Sequence, residues 1–328
     1  MNLKNIAGAA ASVACLALLL SPAMARDRHE RSAVRSIDCD RACLTGILNQ
    51  YMEAMVSHEP GRLAWAEQVK FTENGVAMQI GDGLWGTINK QKPYKLYFID
   101  PQQGQAALFG VVVENTTPSL YSLRLKIENG KIAEAETMVV RKALTAFANA
   151  DAVGDQPLPI LTEAVPAERR LSREQLITHA NAYFQTLEQN DGTLYAQFDK
   201  DCNRLESGMQ TTNNAAMANS SNPGTLVMAL GCQQQFESGF FKFVTRIRDR
   251  RFFVVDEEQQ LVFASAFFDH AGVMRKVTLS DGKTVPAQFD IPFTWQIGEL
   301  FKIKDRKIRQ IQALVMTAPY NMPDVWNH

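Results

Sequence analysis

The chain lacks the short signatures by which the commonest enzyme chemistries are recognised. None of its 328 residues belongs to a Gly-x-Ser-x-Gly elbow, which argues against a serine hydrolase. There is no phosphate loop and no dinucleotide-binding fingerprint, so a nucleotide cofactor is not expected. With 5 histidines and no His-x-x-x-His or similar cluster, no metal centre is expected either. An excess of either charge is also missing: 34 Lys and Arg face 35 Asp and Glu, scattered along the sequence. Without a basic stripe interleaved with aromatics, nucleic acid is not an expected partner. The local basic cluster at 246–251 is broken by Ile247 and Asp249, as on the solvated face of a strand. Beyond the N-terminus no stretch is apolar enough to cross a bilayer.

What the N-terminus does have is Lys4, an apolar run from Ile6 to Leu20, and the small-x-small sequence Ala23-Met24-Ala25. That is the pattern of a signal peptide over residues 1–25, and it predicts a periplasmic or secreted protein with no membrane attachment after cleavage. Four cysteines then remain, Cys39, Cys43, Cys202 and Cys232. An even count in an exported chain predicts disulfides. Three connectivities are possible, and Cys39–Cys43 with Cys202–Cys232 is the one that keeps each bridge within one region of the chain.

The remainder repeats itself. Leu44, Asn49 and Tyr51 match Leu176, Asn181 and Tyr183; Glu73-Asn74-Gly75 matches Glu206-Ser207-Gly208. Phe98-Ile99-Asp100 matches Val254-Val255-Asp256, and Leu125–Ile132 matches Phe301–Ile308. A repeat of this length predicts two copies of one architecture. The expected organisation is a first domain at 36–145, a Pro- and Asp-containing linker at 146–169, and a second domain at 170–325. Each copy reads as a helix of 3.6-residue periodicity followed by a meander of strands. Ser172 with Gln175 forms a predicted capping box, and Asn129-Gly130 a predicted type I′ hairpin turn. The stretch Met209–Leu230 predicts a long loop of the kind that often serves as a lid.

This order of elements resembles the nuclear transport factor 2-like superfamily, which includes polyketide-cyclase-like proteins, ketosteroid isomerase and scytalone dehydratase. The residues that carry the resemblance are Thr72-Glu73-Asn74-Gly75 with Gly81-Asp82-Gly83-Leu84-Trp85, and Asp201-Cys202-x-Arg204 with Phe268-Asp269-His270. It implies an α+β fold: two tandem cone-shaped domains, each a curved antiparallel sheet wrapped around an N-terminal helix and leaving a pocket at one end. It implies no chemistry by itself, because one fold hosts many functions. Enzymes of the superfamily often work without cofactor, through acid/base groups whose pKa values burial adjusts.

The resemblance also points to residues. In ketosteroid-isomerase-like proteins a helix tyrosine donates to an oxyanion and a strand carboxylate moves the proton. Tyr183 and Glu206 stand at similar positions here, and Tyr51 and Glu73 at the matching ones in the first copy. This chain has Glu before Ser or Asn where the superfamily has Asp before Pro. Strand alternation puts His270 on one face with Val262, Ala264, Ala266 and Phe268, which makes it a candidate acid or base; its counterpart is Glu114. Arg204 and Asp201 flank Cys202 as a candidate ion pair at a pocket mouth, and Trp85 is a candidate ring for stacking or closure. Glu299, in an otherwise apolar strand, is expected to pair structurally with Arg248 or Arg250. The expected function is an exported, cofactor-independent lyase or isomerase acting on a small-molecule ligand, with His270, Glu206 and Tyr183 catalytic. The alternative is a non-catalytic ligand- or partner-binding module. Either is expected as a monomer with an internal pseudo-dimer or as a homo-oligomer.

Overall fold

Asp40 opens the first helix, accepting the Cys43 amide at 2.8 Å, as an N-cap aspartate does. Helix α1 (Arg41–Val56) then buries Leu44, Leu48, Tyr51, Met52 and Met55, one face at helical spacing. The structure is a computed structural model describing residues 39–144 and 148–326. The expected signal peptide lies outside the described residues. After α1 come β1 (Trp65–Glu73), β2 (Val76–Ala77), β3 (Ile88–Asp100), β4 (Gln105–Glu114), β5 (Thr117–Glu128) and β6 (Lys131–Val140). They form a six-stranded sheet in the order β2-β1-β6-β5-β4-β3.

The short helix α2 (Pro159–Thr162) interrupts the connection, and the second copy then begins. Its helix α3 (Arg173–Gln189) starts with the capping box of Ser172 and Gln175. Strands β7 (Phe198–Glu206) and β8 (Met209–Gln210) follow. The short helices α4 (Pro223–Leu226) and α5 (Cys232–Glu237) lie between β8 and the meander. Then come β9 (Arg246–Asp256), β10 (Leu261–His270), the hairpin β11 (Lys276–Thr278) and β12 (Thr284–Pro286), β13 (Phe293–Lys304) and β14 (Lys307–Ala318). The second large sheet runs β8-β7-β14-β13-β10-β9, the same order as the first. The chain is thus an α+β tandem repeat.

The sheets are mixed, not wholly antiparallel as expected: β1 runs parallel to β6, and β7 to β14. Alternation in a sequence reports which face a side chain takes, and it carries no strand direction. The turns do repeat as read. Asn129-Gly130 and its counterpart Asp305-Arg306 both have positive φ at both residues, as a type I′ turn requires. Both expected disulfides are present, Cys39–Cys43 and Cys202–Cys232. They suggest an oxidising, extracellular setting. Among the described residues no helix is long and apolar enough to cross a membrane.

Each sheet has two buried faces. The inner face of the first packs on α1 through Leu108, Tyr121, Leu123 and Leu125. The inner face of the second packs on α3 through Ala264, Phe268, Ile297 and Phe301. The outer faces meet each other, with Phe98, Phe109 and Met138 of the first sheet against Val254, Phe263, Leu300 and Leu314 of the second. Phe263 meets Phe98 and Phe109 edge-on at 4.8 and 5.2 Å. Two buried aspartates are exchanged across this seam. Asp100 accepts from the Val255 amide at 3.1 Å and pairs with Arg173. Asp256 accepts from the Ile99 amide at 3.0 Å and pairs with Arg41. Each helix thus begins with an arginine held by the other copy. The predicted linker contributes Leu161, wholly buried in the same seam.

Candidate functional site

Three strands set the floor of a cavity in the second copy. In register, Glu299 on β13 faces Ala313 on β14, and Ala313 faces Glu206 on β7. Glu299 takes the inner face because it keeps phase with Trp295, Ile297, Phe301 and Ile303. Ala313 is small, so a hollow remains between the two carboxylates. In the first sheet the same row is Leu123, Thr137 and Glu73. The copies therefore differ where it matters: Glu299 replaces a leucine, and Arg204 stands where the first copy has Phe71.

Arg204, Glu206 and Glu299 line this cavity, which has a volume of about 60 Å³. Its walls are mostly apolar, with Phe241, Phe243, Phe268 and Trp295 among them. The roof comes from Thr211, Gly224, Val227 and Met228 in the expected lid stretch, and from Gln288 beyond β12. One water needs roughly 10–15 Å³ on the same scale, so the space admits several waters or one small molecule.

The polar end is tightly built. Arg204 donates to Gln235 Oε1 at 2.7 Å and pairs with Glu206. Gln235 in turn donates to the carbonyls of Thr211 and Val227, which fastens α5 to the roof. The Cys202–Cys232 bridge ties the strand carrying Arg204 to the helix carrying Gln235. Tyr183 on α3 is wholly buried among Phe236, Phe301 and Phe184, and its hydroxyl neighbours the Glu299 carboxyl. Burial pushes the Glu299 carboxyl up to about 8; Arg204 and Tyr183 resist this and Glu206 adds to it. Burial likewise holds the Tyr183 hydroxyl well above its ordinary value, so it remains a donor. For Arg204 burial works against the charge, and Glu206, Tyr183 and Glu299 more than offset it. Three buried atoms at the cavity have no protein partner: Arg204 Nε, Thr211 Oγ1 and Glu299 Oε2.

Of the residues singled out in the sequence, Glu206 and Arg204 line this cavity, and Tyr183 lies beside Glu299 without lining it. His270 stands elsewhere. It lies six residues along β10 from Ala264, which shares the row of Glu299, so about 20 Å separates the two rows at ~3.3 Å per residue. Its ring is enclosed by Phe293, Trp295 and Phe289 at 4.3, 4.6 and 5.4 Å. Burial lowers its pKa to about 4. His270 and Glu206 share a sheet face and are not brought to one reacting point. The ion pair expected between Asp201 and Arg204 is absent, because Arg204 turns inward to Glu206 while the half-exposed Asp201 pairs with Lys200. Glu299 takes neither Arg248 nor Arg250; these hold Asp269 and Glu188 instead.

In the first copy the matching groups satisfy one another. The Tyr51 hydroxyl accepts from Trp85 Nε1 at 3.0 Å. Glu73 accepts the Leu84 amide at 2.7 Å and pairs with Arg141 at 3.1 Å. Glu114 accepts from Arg141 and Thr87 at 2.7 and 2.6 Å. Trp85 closes the end of that core at 2 % exposure. Contrary to the sequence reading that no such fingerprint is present, Gly81-Asp82-Gly83-Leu84-Trp85-Gly86 does spell the glycine pattern of a dinucleotide site. Here these residues form a short 3₁₀ turn leading into a strand, with no helix N-terminus to receive a pyrophosphate. Sequence reasoning missed Glu299, Gln235 and Thr211 as site residues. The phase of β13 was the available signal for Glu299, while Gln235 and Thr211 carried none.

A family model described as "Domain of unknown function (DUF8021)" matches residues 38–139 and 169–315. No curated protein matches the chain. Among solved structures, a de novo designed protein with a curved β-sheet is similar over 30% of this chain and 87% of its own, at 11% identity and a TM-score of 0.26. That likeness carries no argument.

Proposed function

We propose, for a chain that belongs to the DUF8021 family, that the second copy is a cofactor-independent acid–base site for a small organic molecule, of the lyase or isomerase type. The resemblance to the nuclear transport factor 2-like superfamily is part of this reading. The observation that carries it is a buried carboxyl of the cavity lining, Glu299, whose Oε2 has no protein partner and whose pKa is raised to about 8. A general acid or base works best when its pKa lies near the working pH. In the ionised form Glu299 takes a proton from a carbon beside a carbonyl. The C–H electron pair becomes a new C=C bond, and the carbonyl oxygen takes the negative charge. Arg204 Nε–H stabilises that oxygen, and Glu299 returns the proton to a second atom. Tyr183 holds the carboxyl in place, and Glu206 keeps Arg204 oriented. This replaces the sharing of acid–base work between His270 and Glu206. The first copy supports the fold.

The test is to incubate the purified protein with a metabolite extract of its producing cells in heavy water, and to read bound and transformed compounds by mass spectrometry. Deuterium incorporation or conversion that Glu299→Gln abolishes supports the reading. A compound retained without change in either protein ends it in favour of a binding module.

A further inference from the structure

The atoms left unsatisfied at the cavity define what should fill it. Arg204, Thr211 and Glu299 are only 4, 3 and 2 % exposed, yet each keeps one polar atom without a protein partner. A buried polar group without a partner costs about 1–3 kcal/mol, so a complementary ligand recovers that cost on binding. The Thr211 amide bonds the Arg204 carbonyl at 3.0 Å, so these residues are neighbours across β7 and β8 and offer two donors. Glu299 stands two strands away and offers a carboxyl oxygen. Aromatic rings of Phe241, Phe268 and Trp295 supply flat walls.

Charge narrows the choice. The Arg204 cation is already matched by Glu206. An anionic ligand would meet the Glu206 and Glu299 carboxyls, and a cationic one would meet Arg204. Either would bury an uncompensated charge, which is costly.

We infer that the cavity takes a small, flat, uncharged molecule with two oxygens, one accepting from Arg204 and Thr211 and one facing Glu299, as in a 1,3-dicarbonyl compound or its enol. This rests on the proposed site and names its substrate class. The probe set is 2,4-pentanedione, 2-pentanone, pentanoate, pentylammonium and cyclopentane, titrated into the protein at pH 6 and followed by NMR.

The dione should bind at least tenfold more tightly than 2-pentanone, with pentanoate and pentylammonium unbound. Thr211→Val conserves volume and should weaken the dione about tenfold while leaving cyclopentane unaffected. Pentanoate binding as well as the dione, or a Thr211→Val variant with unchanged dione affinity, would overturn the inference. So would failure of every probe, cyclopentane included. Dione binding at pH 6 with no Glu299-dependent deuterium uptake above the spontaneous rate at pH 8 would support the inference and end the role given to Glu299 in turnover, so the two failures are distinguishable.

Discussion

Two buried titratable residues in the second copy answer pH in opposite directions. Glu299 has a folded pKa raised to about 8, so the neutral form is favoured in the fold. Its contribution to stability is complete below the unfolded value and is lost as pH rises towards 8. His270 has a folded pKa lowered to about 4. Its contribution is complete above the unfolded value near 6.5 and is lost as pH falls towards 4. His270→Phe should therefore flatten the melting temperature between pH 6.5 and 4 relative to wild type. His179 is depressed in the same direction, and its presence leaves some slope. Glu299→Gln should remove the opposite slope between pH 5 and 8, and calorimetry on the two variants separates the effects. In turnover, wild-type kcat/KM should climb with pH and level off above about 8 as the base ionises. Glu299→Gln should lower it by about 100-fold or more, the scale of a lost general base. A Glu299→Gln variant that keeps wild-type turnover removes Glu299 from the chemistry.

At the scale of elements, the second copy has, besides the β11–β12 hairpin, one long part with no counterpart in the first, the stretch from β8 to α5. It roofs the cavity, and Gln235 and the Cys202–Cys232 bridge secure it. Opening a loop of 30 residues should lower stability by about 3–4 kcal/mol. Urea unfolding of Cys202→Ser/Cys232→Ser measures this, and dione binding should weaken in the same variant. A double mutant as stable as wild type would show that Gln235 and its partners hold the roof unaided. Helices, turns and most strands of both copies were legible in the sequence, since periodicity, the Ser172 capping box and the Asn129-Gly130 turn are local. Strand direction was not, because a parallel neighbour is set by how the chain crosses from β2 to the far edge of the sheet. The site was legible in part for the same reason. Arg204 and Glu206 sit two residues apart on one strand, whereas Glu299 joins them only through Ala313 of an intervening strand. His270 looked equivalent by alternation, which specifies a face and says nothing of distance along the strand.

For the whole molecule, the seam between the two sheets should make unfolding cooperative. Its apolar members come from both copies, so neither sheet can shed its partner without exposing Phe98, Phe109 or Phe263. Asp256→Asn should cost about 3 kcal/mol, because it weakens the hold on Arg41 and on the Ile99 amide in one step. Asp100→Asn should cost a similar amount through Arg173 and Val255. Differential scanning calorimetry should show one transition in wild type and in both variants. A variant that melts in two steps would mean that the copies fold independently and that the seam is a weak contact.

The exchanged aspartates have a further consequence. Each copy carries the key to the other's helix start, so covalent continuity between the copies should be dispensable for mutual recognition. Two polypeptides divided between the copies and produced together should find each other and reconstitute the intact particle, while either one made alone should be sticky and short-lived. Fragment complementation, scored by co-purification of a tag placed on only one piece, would reveal it.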